Sequence, residues 1–342
     1  MKAAIYNPYL DTLGGGERYT LSFANVLVKQ GYDVDLEWNT PKIKEKLEER
    51  FGIKLTNINI VPDIKKGDNY DICFWVSDGS IPLMHARRNI LHFQVPFHGV
   101  NGKSLMNKMK LFRINKIVCN SNFTKNVIDK EFGVKSLVIY PPVDTESIKP
   151  KRKENIILYV GRFSKMLQSK SQDVLISSFR KMYEEGLKEW KLILAGGVEI
   201  GVGNYINELE SLSKDLPVEI IQSPDFSTLK NLYGRSKLFW SASGYGQNEI
   251  ENPEKMEHFG MTVIEAMAGG VVPVIFDGGG HKEIIEDSLN GHLWKHMDEL
   301  VNKTKNLIDN SKQFHALEIN AKKKSKDYDI KIFEEKISTI LK

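Results

Sequence analysis

The sequence predicts an α/β protein made of two doubly wound domains, each built on a mostly parallel sheet. Three observations carry this expectation. Short apolar runs alternate with amphipathic helical segments along nearly the whole chain. The alternation pauses midway at Tyr140-Pro-Pro-Val-Asp-Thr-Glu-Ser-Ile-Lys-Pro-Lys-Arg-Lys-Glu154. Its three prolines exclude a helix interior or a central strand, so the stretch reads as a linker. The length, 342 residues, suits about two domains.

The elements follow in order. The apolar run at 2–6 reads as a buried strand, and 15–29 as a helix with Tyr19, Phe23, Val26 and Leu27 on one face. Residues 34–38 form a second strand and 41–51 a charged surface helix. Further strands are expected at 58–61, 72–76, 89–93, 116–120 and 137–140, with helices at 105–112 and 122–132. Beyond the linker the cycle restarts with a strand at 156–160, then strands at 191–195, 218–222, 237–241, 271–276 and 291–293. Helices are expected at 172–185, 205–212, 228–233, 262–268, 282–286 and 297–310. The tail, 327–341, carries Tyr328, Ile332, Phe333, Ile337 and Ile340 broadly on one face and must pack on something. The boundaries drawn from this pattern are 1–146, 147–326 and a terminal helix over 327–342. Two such sheets leave a cleft between their edges, and ligands bind beyond the C-terminal ends of the strands.

Composition removes several classes. Hydrophobic residues make up 41% and charged residues 27%, as in an ordinary globular protein. Lys+Arg 48 against Asp+Glu 44 gives +4, too mild to indicate a nucleic-acid partner, and none is expected. Cys73 and Cys119 have no Cys or His at metal-ligand spacing, so they read as buried thiols in a reducing compartment. The opening residues lack a signal-peptide apolar core, and no run reaches about 18 apolar residues, so the expected location is cytoplasmic. Residues 103–116 interleave Lys103, Lys108, Lys110, Arg113 and Lys116 with Leu105, Met106, Met109, Leu111 and Phe112. That pattern fits a peripheral contact with the inner face of an anionic bilayer; a solvated helix face is the alternative.

Three segments can carry chemistry. In Asn7-Pro-Tyr-Leu-Asp-Thr-Leu-Gly-Gly-Gly-Glu-Arg18, Gly14, Gly15 and Gly16 stand where a strand hands over to a helix, so backbone N–H groups can approach an anion. The G-x-G-x-x-G dinucleotide spacing is absent. Arg162 directly follows the first strand of the second domain and Lys170 precedes its helix; two cations there suit a diphosphate, while two solvated charges are the plain alternative. In Glu257-His-Phe-Gly-Met-Thr-Val-Ile-Glu265, a helix beginning between the two carboxylates would turn its first N–H groups toward an anion, with a hydroxyl acceptor on either side. Asp33-Val-Asp35 imitates a metal-binding Asp-x-Asp but lies in the second strand of an α/β domain and reads as structural.

Taken together these segments resemble the retaining nucleotide-sugar glycosyltransferases of the GT-B fold, specifically glycosyltransferase family 4 (group 1). The likeness is carried by Gly14-Gly-Gly-Glu-Arg18, Asn120-Ser-Asn-Phe-Thr-Lys125, Val138-Ile-Tyr-Pro-Pro-Val-Asp144, Val160-Gly-Arg162 with Lys170, the Glu257/Glu265 pair and Gly278-Gly-Gly-His-Lys-Glu283. The Glu257-His-Phe-Gly260 run is similar to the mannosyltransferase branch that extends lipid-linked oligosaccharides. The resemblance implies a GT-B architecture of two Rossmann-like domains facing a central cleft, with the final helix crossing back to the first domain. It implies transfer of a hexose, mannose favoured and UDP-sugars close behind, from a nucleoside-diphosphate sugar to a hydroxyl of a glycan or lipid-linked acceptor. No metal and no cofactor are expected.

The implied roles are specific. Glu265 binds the ribose, Glu257 contacts the donor sugar, and Arg162 and Lys170 clamp the diphosphate. Gly14, Gly15 and Gly16, with His258, Phe259, Gly260, Met261 and Thr262, complete the donor side; Gln94 and Asn122 belong to the acceptor side. One place departs from the pattern. Where relatives carry a His in a His-x-Pro setting, this chain reads Gln94-Val-Pro96, flanked by His92 and His98. His98 is the candidate cleft histidine, and Gln94 could hydrogen-bond a sugar hydroxyl. A GT-B sugar-nucleotide epimerase and a non-catalytic nucleotide-sugar-binding protein are the alternative functions.

Overall fold

The computed structural model describes residues 1–164, 169–198 and 203–342. The chain divides into two compact units, Met1–Pro142 with Ile330–Lys342, and Val143–Asp329.

The first unit holds a seven-stranded parallel sheet. Its strands are β1 (Lys2–Tyr6), β2 (Asp33–Glu37), β3 (Ile58–Val61), β4 (Ile72–Val76), β5 (Arg88–Phe93), β6 (Lys116–Cys119) and β7 (Leu137–Val138), in the order β3-β2-β1-β4-β5-β6-β7. The central strands read as continuous apolar runs because helices cover both faces. The helices are α1 (Gly15–Lys29), α2 (Ile43–Phe51), α3 (Leu105–Leu111) and α4 (Asn122–Phe132). In α4, Ser121 Oγ accepts from the Thr124 N–H, and Gly133, in the left-handed conformation, ends the helix. The core contains Tyr19, Phe23, Phe74 and Leu36. Phe333, Ile337 and Leu341, from the far end of the sequence, join it.

The second unit holds a six-stranded parallel sheet in the order β10-β9-β8-β11-β12-β13. Its strands are β8 (Glu154–Val160), β9 (Lys191–Gly196), β10 (Val218–Gln222), β11 (Ser236–Ser241), β12 (Val272–Phe276) and β13 (His292–Trp294). Around it lie α5 (Gln172–Glu184), α6 (Gly203–Leu212), α7 (Phe226–Arg235), α8 (Met261–Ala268), α9 (His281–Ile284), α10 (Met297–Asp309) and α11 (Ser311–Ser325). The last helix, α12 (Ile330–Ile340), belongs to the first unit and packs on α1. In both sheets the strand order reverses direction beside the first strand of the unit, where doubly wound sheets hold their ligands.

The α11 helix was not anticipated from the sequence. Only Leu317, Ala321 and Ser325 are buried along it, four residues apart, and two of those three are small. So thin a stripe among lysines gives almost no apolar periodicity, yet it suffices to seat the helix on α8. Cys73 and Cys119 are buried free thiols. Burial pushes both thiol pKa values up, Cys119 to about 12.

Candidate active site

In the second unit the site grows from the end of β8. Arg162 is exposed two residues beyond that strand. The loop that follows brings Lys170 back to the head of α5; its residues 165–168 lie outside the described ones. Two contacts anchor it. The Gln172 side-chain amide donates to the Arg162 carbonyl at 2.9 Å, and the Tyr205 hydroxyl donates to Gln172 Oε1 at 2.8 Å. Gln172 is fully buried and therefore locks both ends of the cationic loop.

Lys170 Nζ meets Glu257 Oε2 at 2.8 Å, and both side chains are mostly withdrawn from water. Burial alone would raise the Glu257 carboxyl. Lys170 outweighs it, with smaller help from His281 and His258, and holds the group at about 2. His281 is buried behind it, its Nδ1 2.9 Å from the Phe276 carbonyl oxygen; burial lowers its own pKa, with Glu257 pulling the other way.

The backbone carrying Glu257 is gripped by the glycine run before α9. The Gly280 N–H donates to the Glu257 carbonyl at 2.7 Å. Gly279 has φ +57, and a Cβ there would fall 2.2 Å from the same carbonyl oxygen. Only glycine allows this approach. The polar stretch after β11 is fastened to the same run: Glu249 accepts from the Gly279 N–H at 3.1 Å and from Lys282 Nζ at 2.7 Å.

Glu265 lies in α8, nearly buried, accepting from the Tyr233 hydroxyl at 2.8 Å. Gly260 caps the start of α8 with no side-chain hydrogen bond, and its first turn carries no acidic residue. The helix therefore presents its positive end without an internal counter-charge. Of the intervening run, Phe259 is a packing residue, edge-on to Tyr328 with ring centres 5.5 Å apart, and His258 Nε2 lies 3.0 Å from the Glu254 carbonyl oxygen. Met261 and Thr262 are half-buried.

In the first unit the glycine loop is arranged differently. Glu17 fills the start of α1: its carboxylate accepts from the Gly14 N–H and from Thr12 Oγ1 at 2.9 Å. Gln94 lies directly against Gly16, where a Cβ would fall 2.0 Å from its Oε1. The Asn120 amide donates to the Gln94 carbonyl at 2.9 Å. His98 is exposed near Glu131, whose carboxylate accepts from the N–H groups of Gly99, Val100 and Gly102. Asn122 donates to the Tyr140 hydroxyl at 2.7 Å. His92 is fully buried and stacked on Tyr19, and burial drives its pKa down to about 3. Asp33 and Asp35 are engaged by the Asn59 amide, and Asp35 by the Tyr70 hydroxyl at 2.8 Å.

The second unit thus gathers Lys170, Glu257, an uncapped helix start and Glu265, while Gly14, Gly15, Gly16, Gln94, His98 and Asn122 sit in the first. A family model described as Glycosyl transferases group 1 matches residues 143–324, and one described as Glycosyltransferase Family 4 matches 13–147. The chain belongs to the group 1 glycosyl transferases. It is an enzyme that takes a sugar from a nucleotide-sugar donor, and its fold is GT-B.

This glycosyltransferase is 30% identical to a GDP-Man:Man(3)GlcNAc(2)-PP-Dol alpha-1,2-mannosyltransferase of Dictyostelium discoideum, over 48% of the chain and 33% of the relative. The match therefore spans about a third of that relative's length. It is 24% identical to the alpha-1,3/1,6-mannosyltransferase ALG2 of Kluyveromyces lactis, over 84% of the chain and 71% of the relative. Among solved structures, Alr3699/HepE of Anabaena, crystallised with UDP and glucose, superposes with a TM-score of 0.78 at 18% identity, covering 100% of this chain and 99% of the other.

The sequence reading missed Gln172, Tyr205, Tyr233 and Gly279 as site supports. Each acts through a partner remote in sequence, which no local spacing marks.

Proposed function

We propose that this glycosyltransferase is retaining and metal-independent. It moves a hexosyl group, mannose first and glucose-type sugars next, from a nucleoside-diphosphate sugar to a hydroxyl of a glycan or lipid-linked acceptor. The observation that carries the reading is the buried Lys170–Glu257 pair set three residues ahead of the uncapped start of α8. When the glycosidic bond breaks, negative charge develops on the departing diphosphate. Lys170, Arg162 and the first amides of α8 supply fixed positive potential for it, which is the task a divalent ion performs elsewhere.

Glu265, positioned by Tyr233, accepts hydrogen bonds from the ribose hydroxyls. Glu257, kept ionised, accepts hydrogen bonds from the sugar. The first unit takes the acceptor, with Gln94 and Asn122 on that side and His98 the candidate histidine. The preference for mannose comes from the likeness to the two mannosyltransferases, and that for UDP-sugars from the HepE complex.

Calorimetry with GDP and UDP, followed by donor turnover, tests the reading. Glu265→Ala is expected to weaken nucleotide binding about tenfold or more, the loss of a charged hydrogen-bond acceptor. Glu257→Ala is expected to leave nucleotide binding nearly intact and lower turnover about a hundredfold. EDTA is expected to change neither. Unchanged binding and turnover in both variants, or activity abolished by the chelator, would overturn the assignment.

A further inference from the structure

The α3 helix is inverted relative to its surroundings. None of its residues is buried. Leu105, Met106 and Met109 are 76%, 67% and 65% exposed, and Phe112, just past its end, is 91% exposed. Residues 105, 109 and 112 follow the four-then-three spacing of one helical face, and 106 lies three before 109. The helix is held from the other side: Leu111 and Ile114 pack against the cluster around Phe93 and Phe132. Ser104 caps its start, accepting from the Asn107 N–H at 3.3 Å. An apolar face is therefore displayed by a well-anchored segment. Isolated exposed apolar residues need no explanation, but four clustered over about two turns mark an interaction site.

Charge decides what it meets. Residues 99–116 contain Lys103, Lys108, Lys110, Arg113 and Lys116 and no acidic residue, five cations where the whole chain nets +4. Four of the five are exposed and Lys110 is half-buried. Arg113 is steadied by the Met84 carbonyl, which accepts from its Nε at 3.3 Å. The acidic neighbour on α4, Glu131, is engaged by the amides of Gly99, Val100 and Gly102 at the root of the loop. A protein partner for so apolar a face would need its own acidic ring. A bilayer supplies both halves at once, acyl chains for the apolar tips and a negative headgroup layer for the cations.

We propose that Leu105, Met106, Met109 and Phe112, ringed by Lys103, Lys108, Lys110, Arg113 and Lys116, form a docking surface for an anionic lipid bilayer. No described helix is long and apolar enough to cross a membrane, so the contact is peripheral. The inference goes beyond the transfer reaction and stands on different residues.

Co-sedimentation of the full chain with vesicles of phosphatidylcholine containing about a third phosphatidylglycerol tests it, without any donor present. Binding is expected to the anionic vesicles, to be weak on pure phosphatidylcholine, and to fall steeply as salt is raised. Met109→Ser with Phe112→Ser is expected to reduce partitioning at least tenfold. Lys103→Ala with Lys108→Ala and Lys110→Ala is expected to reduce it by about a hundredfold. These side chains touch little, so both variants should keep the wild-type thermal midpoint and nucleotide affinity. Absence of vesicle binding, equal binding to neutral vesicles, or unchanged binding by either variant would overturn the proposal. So would a concentration-dependent dimer in wild type that the Met109/Phe112 variant abolishes, since the face would then belong to a second copy of the chain.

Discussion

Glu257 is a carboxylate taken largely out of water and kept charged by one ammonium group 2.8 Å away. Its pKa, depressed from 4.5 to about 2, makes it a stability element with a defined pH window. The folded state binds the proton less readily than the unfolded chain. The stabilisation is therefore fully present above about pH 4.5 and disappears as the pH falls toward 2. The contribution is on the order of 2–3 kcal/mol before any offset from the cost of burying the pair. Urea unfolding at pH 5 and at pH 2.5 should show wild type losing more stability than Glu257→Gln across that interval, by a difference of this size. Equal losses would mean that Lys170 does not hold the carboxylate. At this scale the sequence displayed the charged partners, because Arg, Lys and Glu at strand ends and helix starts are visible from spacing alone. It hid Tyr233 and Gln172, ordinary residues whose roles come from neighbours 32 and 33 positions away.

Between residue and fold, two helix starts flanked by glycine have taken opposite forms. The α1 start is closed by its own Glu17, while α8 has no capping side chain. The difference was not legible in the glycine pattern; it follows from an acid at the third helical position of α1 and its absence from the first turn of α8. The position of α8's entry depends in turn on the glycine run Gly278–Gly280, whose backbone supports that of Glu257. Replacing Gly279 by alanine combines a left-handed φ with a Cβ lodged against a main-chain oxygen, which cannot swing away as a side chain could. The expected effect is a loss of about 2–4 kcal/mol in a denaturant titration and a drop in turnover larger than any change in the affinity for nucleotide. Gly186, with φ +108 and nothing near its Cβ position, serves as the control: alanine there should cost only about 1–2 kcal/mol and leave turnover alone. Strongly periodic elements such as α1 and α4 were readable to the residue. The thin, lysine-rich α11 was not, since its seat on α8 needs few apolar atoms.

At the scale of the molecule, the alternation of strand and helix announced two doubly wound sheets, but strand order could not be read from it, because order is set by crossovers that bring remote segments together. The same holds for the route of the chain. It leaves the first unit at Pro142 and returns to it at Ile330, and at these crossings Val143 forms a parallel bridge with Asp329, whose carboxylate accepts from Thr145 Oγ1. The first unit is therefore assembled from both ends of the sequence. Phe333, Ile337 and Leu341 are buried in its core, Lys29 pairs with Glu334 at 2.6 Å, and Arg88 reaches the Leu341 carbonyl. The second unit is one uninterrupted stretch with its own core around Trp240, Phe179 and Leu194. This asymmetry makes a strong prediction about fragments. Residues 143–329 expressed alone should fold cooperatively and give a protected core in hydrogen exchange, because the described residues of that core all come from within this stretch. Residues 1–142 alone would lack three buried apolar side chains, a deficit of roughly 6–9 kcal/mol against a domain stability of about 5–15 kcal/mol. They should be unfolded or molten by near-ultraviolet dichroism, and a peptide of residues 330–342 added in trans should restore the native signal in a saturable way. A native spectrum for residues 1–142 without the peptide would show that α12 is an accessory to the first unit rather than part of its core.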